Sequence, residues 1–115
     1  MTGSPGVPAI DATGAAARLD VGALLLDVRE PDEWTAGHAP AAVWIPMREV
    51  AARQGELPTD RDIVVVCRVG SRSARVTAAL RQAGYEAANL AGGMQAWATA
   101  GLPIVTDAGD DGVVA

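Results

Sequence analysis

The chain has 115 residues, enough for one domain with a buried core, and half of them are hydrophobic, which excludes global disorder. A formal net charge of −5 without any polybasic run excludes a nucleic-acid-binding surface and a polybasic membrane anchor. The single cysteine excludes an internal disulfide or a cysteine metal cluster and suits a reducing cytoplasm, and no apolar stretch approaches the roughly 20 residues that span a bilayer.

Residues 1–6 have neither the charged nor the apolar region of a secretory signal and are expected to be a flexible start. Val7 to Ile10 reads as a short first strand, and Ala12 to Leu19 as a helix with Asp11 at its N-cap. Leu24-Leu25-Leu26-Asp27-Val28 is a strong strand. Pro31-Asp32-Glu33-Trp34 opens a helix, with proline in the first turn and acids at its positive end. Ala42 to Ile45 is a strand stopped by Pro46, and Met47 to Gln54 a helix closed by Gly55. Asp62 to Val66 is the central strand. Ser71 to Ala83 is a helix with Val76, Ala79, Leu80 and Ala83 on one face, terminated by Gly84. Ala87 to Leu90 forms a last strand and Gly93 to Thr99 a last helix, leaving 106–115 as an acidic, flexible tail. Short apolar strands alternating with helices predict an α/β fold: a parallel sheet covered on both faces.

Cys67-Arg68-Val69-Gly70-Ser71-Arg72 stands where the run Ile63-Val64-Val65-Val66 stops and a helical pattern begins. The carboxyl end of a strand is where open α/β sheets bind ligands. There the loop amides curl toward the sulfur, and the positive end of the following helix favours thiolate over thiol. Arg68, Arg72 and Arg75 add positive charge. The alternative for Cys67 is a buried cysteine acting as a small hydrophobe.

Asp27-Val28-Arg29-Glu30 with Trp34, then Gly37-His38, the Cys67 loop, Gly92-Gly93 with Trp97, and Gly101-Leu102-Pro103 together resemble a rhodanese domain. The resemblance runs from Val7 to Val105 and is nearest to small single-domain rhodaneses with a Cys-Arg-x-Gly-x-Arg loop. It implies a five-stranded parallel sheet with helices on both faces, and sulfur transfer through a cysteine persulfide. The chain departs from the family pattern at Gly37-His38-Ala39-Pro40-Ala41-Ala42, which loosens a turn. It departs also at Val69, where some members with strong thiosulfate activity carry a basic residue.

Within that frame Cys67 is the nucleophile and the amides from Arg68 through Val69, Gly70, Ser71 and Arg72 to Ser73 form the cradle for a terminal sulfur or an oxyanion. Gly70 permits the turn, and Ser71 or Ser73 is expected to cap the helix. Arg68 is expected to meet an anionic donor such as thiosulfate, and Arg72 to orient the loop through a carboxylate, with Asp27 the leading partner. Asp27 and Arg29 are expected to border the same pocket, as substrate contacts or as a structural ion pair. His38 is expected to hold a turn rather than act as a base, and Trp34, Trp44 and Trp97 to pack. No metal and no organic cofactor is expected.

With a single cysteine, the sulfur must leave to an external acceptor: cyanide, a small thiol or a sulfur-carrier protein. The reading is therefore a cytoplasmic thiosulfate sulfurtransferase, monomeric or homodimeric, with a sulfur-relay or regulatory module acting on a protein partner as the alternative. A cysteine phosphatase or arsenate reductase ranks third. Phosphatases place arginine after five intervening residues, and here that position is Ser73.

Overall fold

Four consecutive β-branched residues suit a strand buried on both faces, and Ile63–Val66 forms the middle strand of a five-stranded sheet. The computed structural model describes residues 7–115, so the expected flexible start at 1–6 lies outside the described residues. In chain order the elements are β1 (Ala9–Ile10), α1 (Ala12–Asp20), β2 (Leu24–Asp27), α2 (Pro31–Ala36), β3 (Val43–Trp44), α3 (Val50–Arg53), β4 (Ile63–Val66), α4 (Ser71–Gln82), β5 (Ala87–Leu90) and α5 (Gly93–Thr99). The strand order is β1-β5-β4-β2-β3, and every pairing is parallel.

Side-chain alternation along β2 and β4 divides the core. Leu26, Val28, Ile63, Val65 and Cys67 pack with Val50, Val76 and Leu80, on the side of α3 and α4. Leu25, Val64 and Val66 pack on the other side with Ala12, Ala15, Met94 and Trp97 of α1 and α5. Trp97 fixes the last helix by donating from Nε1 to the Pro103 carbonyl at 2.8 Å. The sheet with helices on both faces is the architecture the sequence predicts.

Local signals account for most boundaries. The Asp11 carboxylate accepts from the Gly14 amide at 2.7 Å, capping α1. Gly84, at φ +96°, follows the end of α4. The expected helix over Met47 to Gln54 is instead broken: 3-10 turns at Met47–Glu49 and Gln54–Glu56 flank α3. Gly55 therefore lies inside the last turn rather than ending the helix, and the Gln54 carbonyl accepts from the Leu57 amide and from the Tyr85 hydroxyl.

The segment 106–115, expected as an acidic flexible tail, carries backbone pairing of its own. His38 and Val105 exchange backbone bonds at 2.8 and 2.9 Å, and the chain then reverses, with the Thr106 amide bonded to the Asp110 carbonyl. It returns along its own path, the Val113 amide donating to the Ala36 carbonyl at 3.0 Å. A Cβ on Gly37 would stand 2.6 Å from the Val113 backbone, so the returning strand needs glycine there. Acidic side chains such as Asp107 and Asp110 stay exposed while the backbone supplies the pairing.

The ends of β2 and β4 lie side by side, Asp27 in register with Val66. The connection from β2 leads outward to β3, whereas that from β4 leads to β5 on the opposite side, which makes this the switch point of the sheet. Asp27 and Arg29 are fully buried here. Arg29 donates to the carboxylate from Nε at 3.0 Å and Nη2 at 2.7 Å, then reaches the Gly37 carbonyl at 2.8 Å. The pair ties the end of β2 to the end of α2.

Removing one partner strands a buried charge, so Arg29→Ala should lower unfolding free energy by about 3–5 kcal/mol. Urea denaturation followed by circular dichroism measures this, and a loss below about 1 kcal/mol would contradict a structural clamp.

Candidate active site

Cys67 follows β4 directly, and its backbone is held from behind. The Cys67 carbonyl accepts from the Met94 amide at 2.8 Å and the Arg68 carbonyl from the Gln95 amide at 3.1 Å, both in the first turn of α5. Approach this close requires Gly93: its φ is +60°, and a Cβ would stand 2.5 Å from the Cys67 and Arg68 carbonyls. With the carbonyls engaged by α5, the amides of the loop are left for the sulfur. The Gly70 amide donates to Sγ at 3.1 Å, and the Ser73 hydroxyl lies 3.2 Å from Sγ.

Cys67 has no exposed surface. Burial alone would suit an inert core thiol and pushes its pKa up. The Ser73 hydroxyl, with the amides of Ser73, Gly70 and Val69, outweighs that penalty and holds the thiol below its ordinary value. Such a set of donors around one sulfur favours the thiolate form, although Cys67 also packs in the core.

The other loop residues divide between rim and floor. Val69 is 47 % exposed and Arg68 and Ser71 are exposed, so they form the rim. Arg68 donates from Nε to the main-chain oxygen of Ala115 at 2.9 Å. Neither serine caps α4: Gly70, at φ +109°, occupies the cap position, Ser71 faces outward, and Ser73 is buried against the sulfur. A cap at Gly70 leaves the Ser73 hydroxyl free for the site.

The partner of Arg72 is Glu33, not Asp27. Its two amino groups donate to the two carboxylate oxygens at 2.7 and 2.8 Å. Asp27 is unavailable because Arg29, two residues away, already saturates it. The Arg72 bonds hold the Glu33 carboxyl below its ordinary value of 4.5, against the opposing effect of burial. Glu33 also accepts from the Glu30 amide at 2.9 Å, so one carboxylate closes the start of α2 and anchors the loop. Asp27 and Arg29 therefore support the crevice from beneath rather than line it.

His38 is structural, as expected. Its ring stacks on Trp34 with centroids 3.6 Å apart, Nδ1 lies 2.9 Å from the Trp34 carbonyl, and Nε2 lies 3.4 Å from Asp107. Trp34 stacks also on Trp44, whose Nε1 donates to the Arg29 carbonyl at 2.9 Å. Among the described residues, no three of His, Cys, Asp and Glu cluster to hold a metal.

Three supporting residues escaped the sequence reading. Glu33 was visible only as an acid in a first turn, and Gly93 only as part of a family motif. Asn89 was the most legible in retrospect. It is one amide in the otherwise apolar strand Ala87-Ala88-Asn89-Leu90, it is buried, and its side chain joins Ser73 to Gly70.

A family model described as a rhodanese-like domain matches residues 11–100. A protein named sulfurtransferase from Allochromatium vinosum is 47 % identical over 87 residues, covering 75 % of this chain and 81 % of that one. Among solved structures, a rhodanese-related protein from Thermoplasma volcanium superposes with a TM-score of 0.82 at 31 % identity, covering 87 % of this chain and 99 % of the other. A thiosulfate sulfurtransferase from Pseudomonas aeruginosa superposes with a TM-score of 0.80 at 28 % identity, over 95 % of this chain but 22 % of that longer one.

The Glu33–Arg72 pair has a pH signature. A carboxyl with a lowered folded pKa stabilises above its unfolded pKa and loses that contribution as pH falls through the folded value. The stability difference between the native protein and Glu33→Gln should be full at neutral pH and vanish on acidification below 4.5, measured by urea denaturation across pH. The backing of the loop is tested separately. Gly93→Ala should cost at least about 2 kcal/mol and slow alkylation of Cys67, since positive φ and backbone overlap act together. Unchanged melting and alkylation would show that the loop does not depend on this approach.

Proposed function

The chain belongs to the rhodanese-like domain family, and from that premise we propose that it is a sulfurtransferase that carries sulfane sulfur as a Cys67 persulfide, with thiosulfate as donor. The observation that carries this reading is the donor set on one buried sulfur: the Gly70 amide at 3.1 Å and the Ser73 hydroxyl at 3.2 Å. Those donors favour the thiolate, which is the nucleophile, and no histidine is needed to generate it.

In the first step the Cys67 thiolate attacks the outer sulfur of thiosulfate. A new S–S bond forms, the bond to the sulfonate sulfur breaks, and sulfite leaves with the electron pair. In the second step cyanide or a thiolate attacks the terminal persulfide sulfur. The cysteine thiolate departs with the electron pair of the S–S bond, giving thiocyanate or a new persulfide. The enzyme ends both steps as it began, which predicts ping-pong kinetics.

The loop residues take distinct roles. Arg68, at the rim, supplies positive charge to an approaching dianion. Among the described residues only its Nε is engaged. Arg72 is committed to Glu33 and shapes the loop instead of binding the donor. The amides from Val69 to Ser73 receive the charge on the sulfur. Because the sulfur is buried, the rim side chains must move aside to admit a donor.

The acceptor is external, since the chain has one cysteine. A reduced thiol of this kind operates in the cytoplasm. A phosphatase reading is disfavoured because the position its arginine would take is Ser73, whose hydroxyl already faces the sulfur.

Intact mass after incubation with thiosulfate tests the proposal. The native protein should gain one sulfur, Cys67→Ala none, and cyanide should remove the adduct with formation of thiocyanate. Failure of thiosulfate, mercaptopyruvate and small persulfides alike would sink it. Loading that discharges to a sulfur-carrier protein but not to cyanide would replace the small acceptor by a protein partner.

A further inference from the structure

A buried primary amide is costly unless both of its ends are bonded. Asn89 meets that condition within the site: it bonds the Gly70 carbonyl at 3.1 Å and the Ser73 hydroxyl at 2.5 Å. The chemistry of the partners fixes which end faces which. A carbonyl only accepts, so Gly70 requires the amino group of Asn89, and the carbonyl oxygen Oδ1 must face Ser73. Oδ1 in turn only accepts, so the Ser73 hydroxyl is the donor in that short bond.

Ser73 has one hydroxyl proton and three acceptors within reach. Oδ1 of Asn89 lies at 2.5 Å, Sγ of Cys67 at 3.2 Å and the Gly70 carbonyl at 3.3 Å. The Gly70 carbonyl is served already by the Ala74 amide at 3.1 Å and by Asn89, so the real contest is between Asn89 and the sulfur. With the sulfur protonated, Ser73 gives its proton to Asn89 and accepts S–H. With the sulfur charged, as thiolate or as persulfide anion, the hydroxyl turns toward it and Asn89 loses its short bond.

The geometry points to Asn89 as a positioning residue that competes with the Cys67 sulfur for the Ser73 proton. Its amide anchors the loop through Gly70 and withholds part of the stabilisation that Ser73 would otherwise give the thiolate. A thiolate stabilised without such opposition is abundant but weakly nucleophilic, because nucleophilicity falls with basicity. The competition keeps the sulfur reactive enough to accept a sulfane atom. This inference rests on the persulfide reading for its meaning in turnover, but the proton competition itself belongs to the unloaded protein.

The charged groups around Cys67 do not obscure the effect. From α4 Arg72 faces it, matched by Glu33 of α2. At the end of β2 Asp27 is matched by Arg29. Arg68 lies exposed on the loop, and the packed residues of β5 and the first turn of α5 bring no ionisable side chain. None of these changes when Asn89 is replaced.

The test is a double-mutant cycle read by thiolate absorbance against pH, with iodoacetamide alkylation rates beside it. Asn89→Leu should lower the thiol midpoint by about one pH unit, a tenfold gain in ionisation, because Ser73 then loses its nearest competing acceptor and only the longer contact to the Gly70 carbonyl remains. Ser73→Ala should raise the midpoint, and in that background Asn89→Leu should no longer shift it. An equal shift in both backgrounds, or no downward shift with Ser73 present, overturns the proposal. If Asn89→Leu does not fold, the side-chain amide resonances of Asn89 in the native protein decide. They should move with the thiol titration, and should not do so in Ser73→Ala; resonances indifferent to the thiol overturn the competition. Failure of thiosulfate to load the protein leaves this titration unaffected, so the two readings fall separately.

Discussion

Everything at the reactive end of this sheet depends on where two carbonyl groups point. A loop that follows a strand carries as many acceptors as donors, and a sulfur surrounded by carbonyl oxygens would remain a thiol. Here the carbonyls of Cys67 and Arg68 are drawn toward the first turn of α5, whose amides need acceptors of their own. One set of bonds satisfies the start of a helix and clears the acceptors from the sulfur. Only glycine at position 93 allows the two backbones to approach so closely. The chemistry at Cys67 is thus built by a helix about 25 residues further along the chain.

Two arginine–carboxylate pairs surround that loop at different depths. Asp27 with Arg29 is wholly buried and reaches on to the Gly37 carbonyl. Glu33 with Arg72 is partly exposed and joins α2 to the first turn of α4. Both pairs use the flat fork of arginine against a carboxylate, a geometry lysine does not reproduce. They converge on α2, none of whose residues is fully buried and which is held largely by polar bonds. The stacked rings of Trp34, His38 and Trp44 complete its attachment. Polar pairing therefore positions the crevice, and apolar packing holds the sheet beneath it.

The segment from Val105 onward adds backbone pairing at the same end of the molecule, against His38 and Ala36. Arg68 meets this segment at Ala115. The rim of the crevice is consequently shared between the Cys67 loop and the last residues of the described chain.

Much of this was legible in the residues. The runs at Leu24 and Ile63 marked strands, Gly84 marked a helix end, and a cysteine followed by glycine, serine and arginines marked the loop at a strand end. These signals are local: hydrophobic period, turn chemistry and helix ends act over a few neighbours. Pairings across the chain were not legible. Asp27 stood as the leading partner for Arg72 and was removed by Arg29, a fact that only the packed end of β2 decides. Ser73 had the composition of a cap until Gly70 took that position. Asn89 carried a visible oddity, an amide in an apolar strand, but its partners lie 16 and 19 residues away in sequence. The sequence by itself determined the sheet, its helices and the place of the cysteine at a strand end, because periodicity and turn residues act on the nearby backbone. Tertiary structure alone decided which donors and acceptors meet at the sulfur, because each polar group has several candidate partners and burial leaves it one.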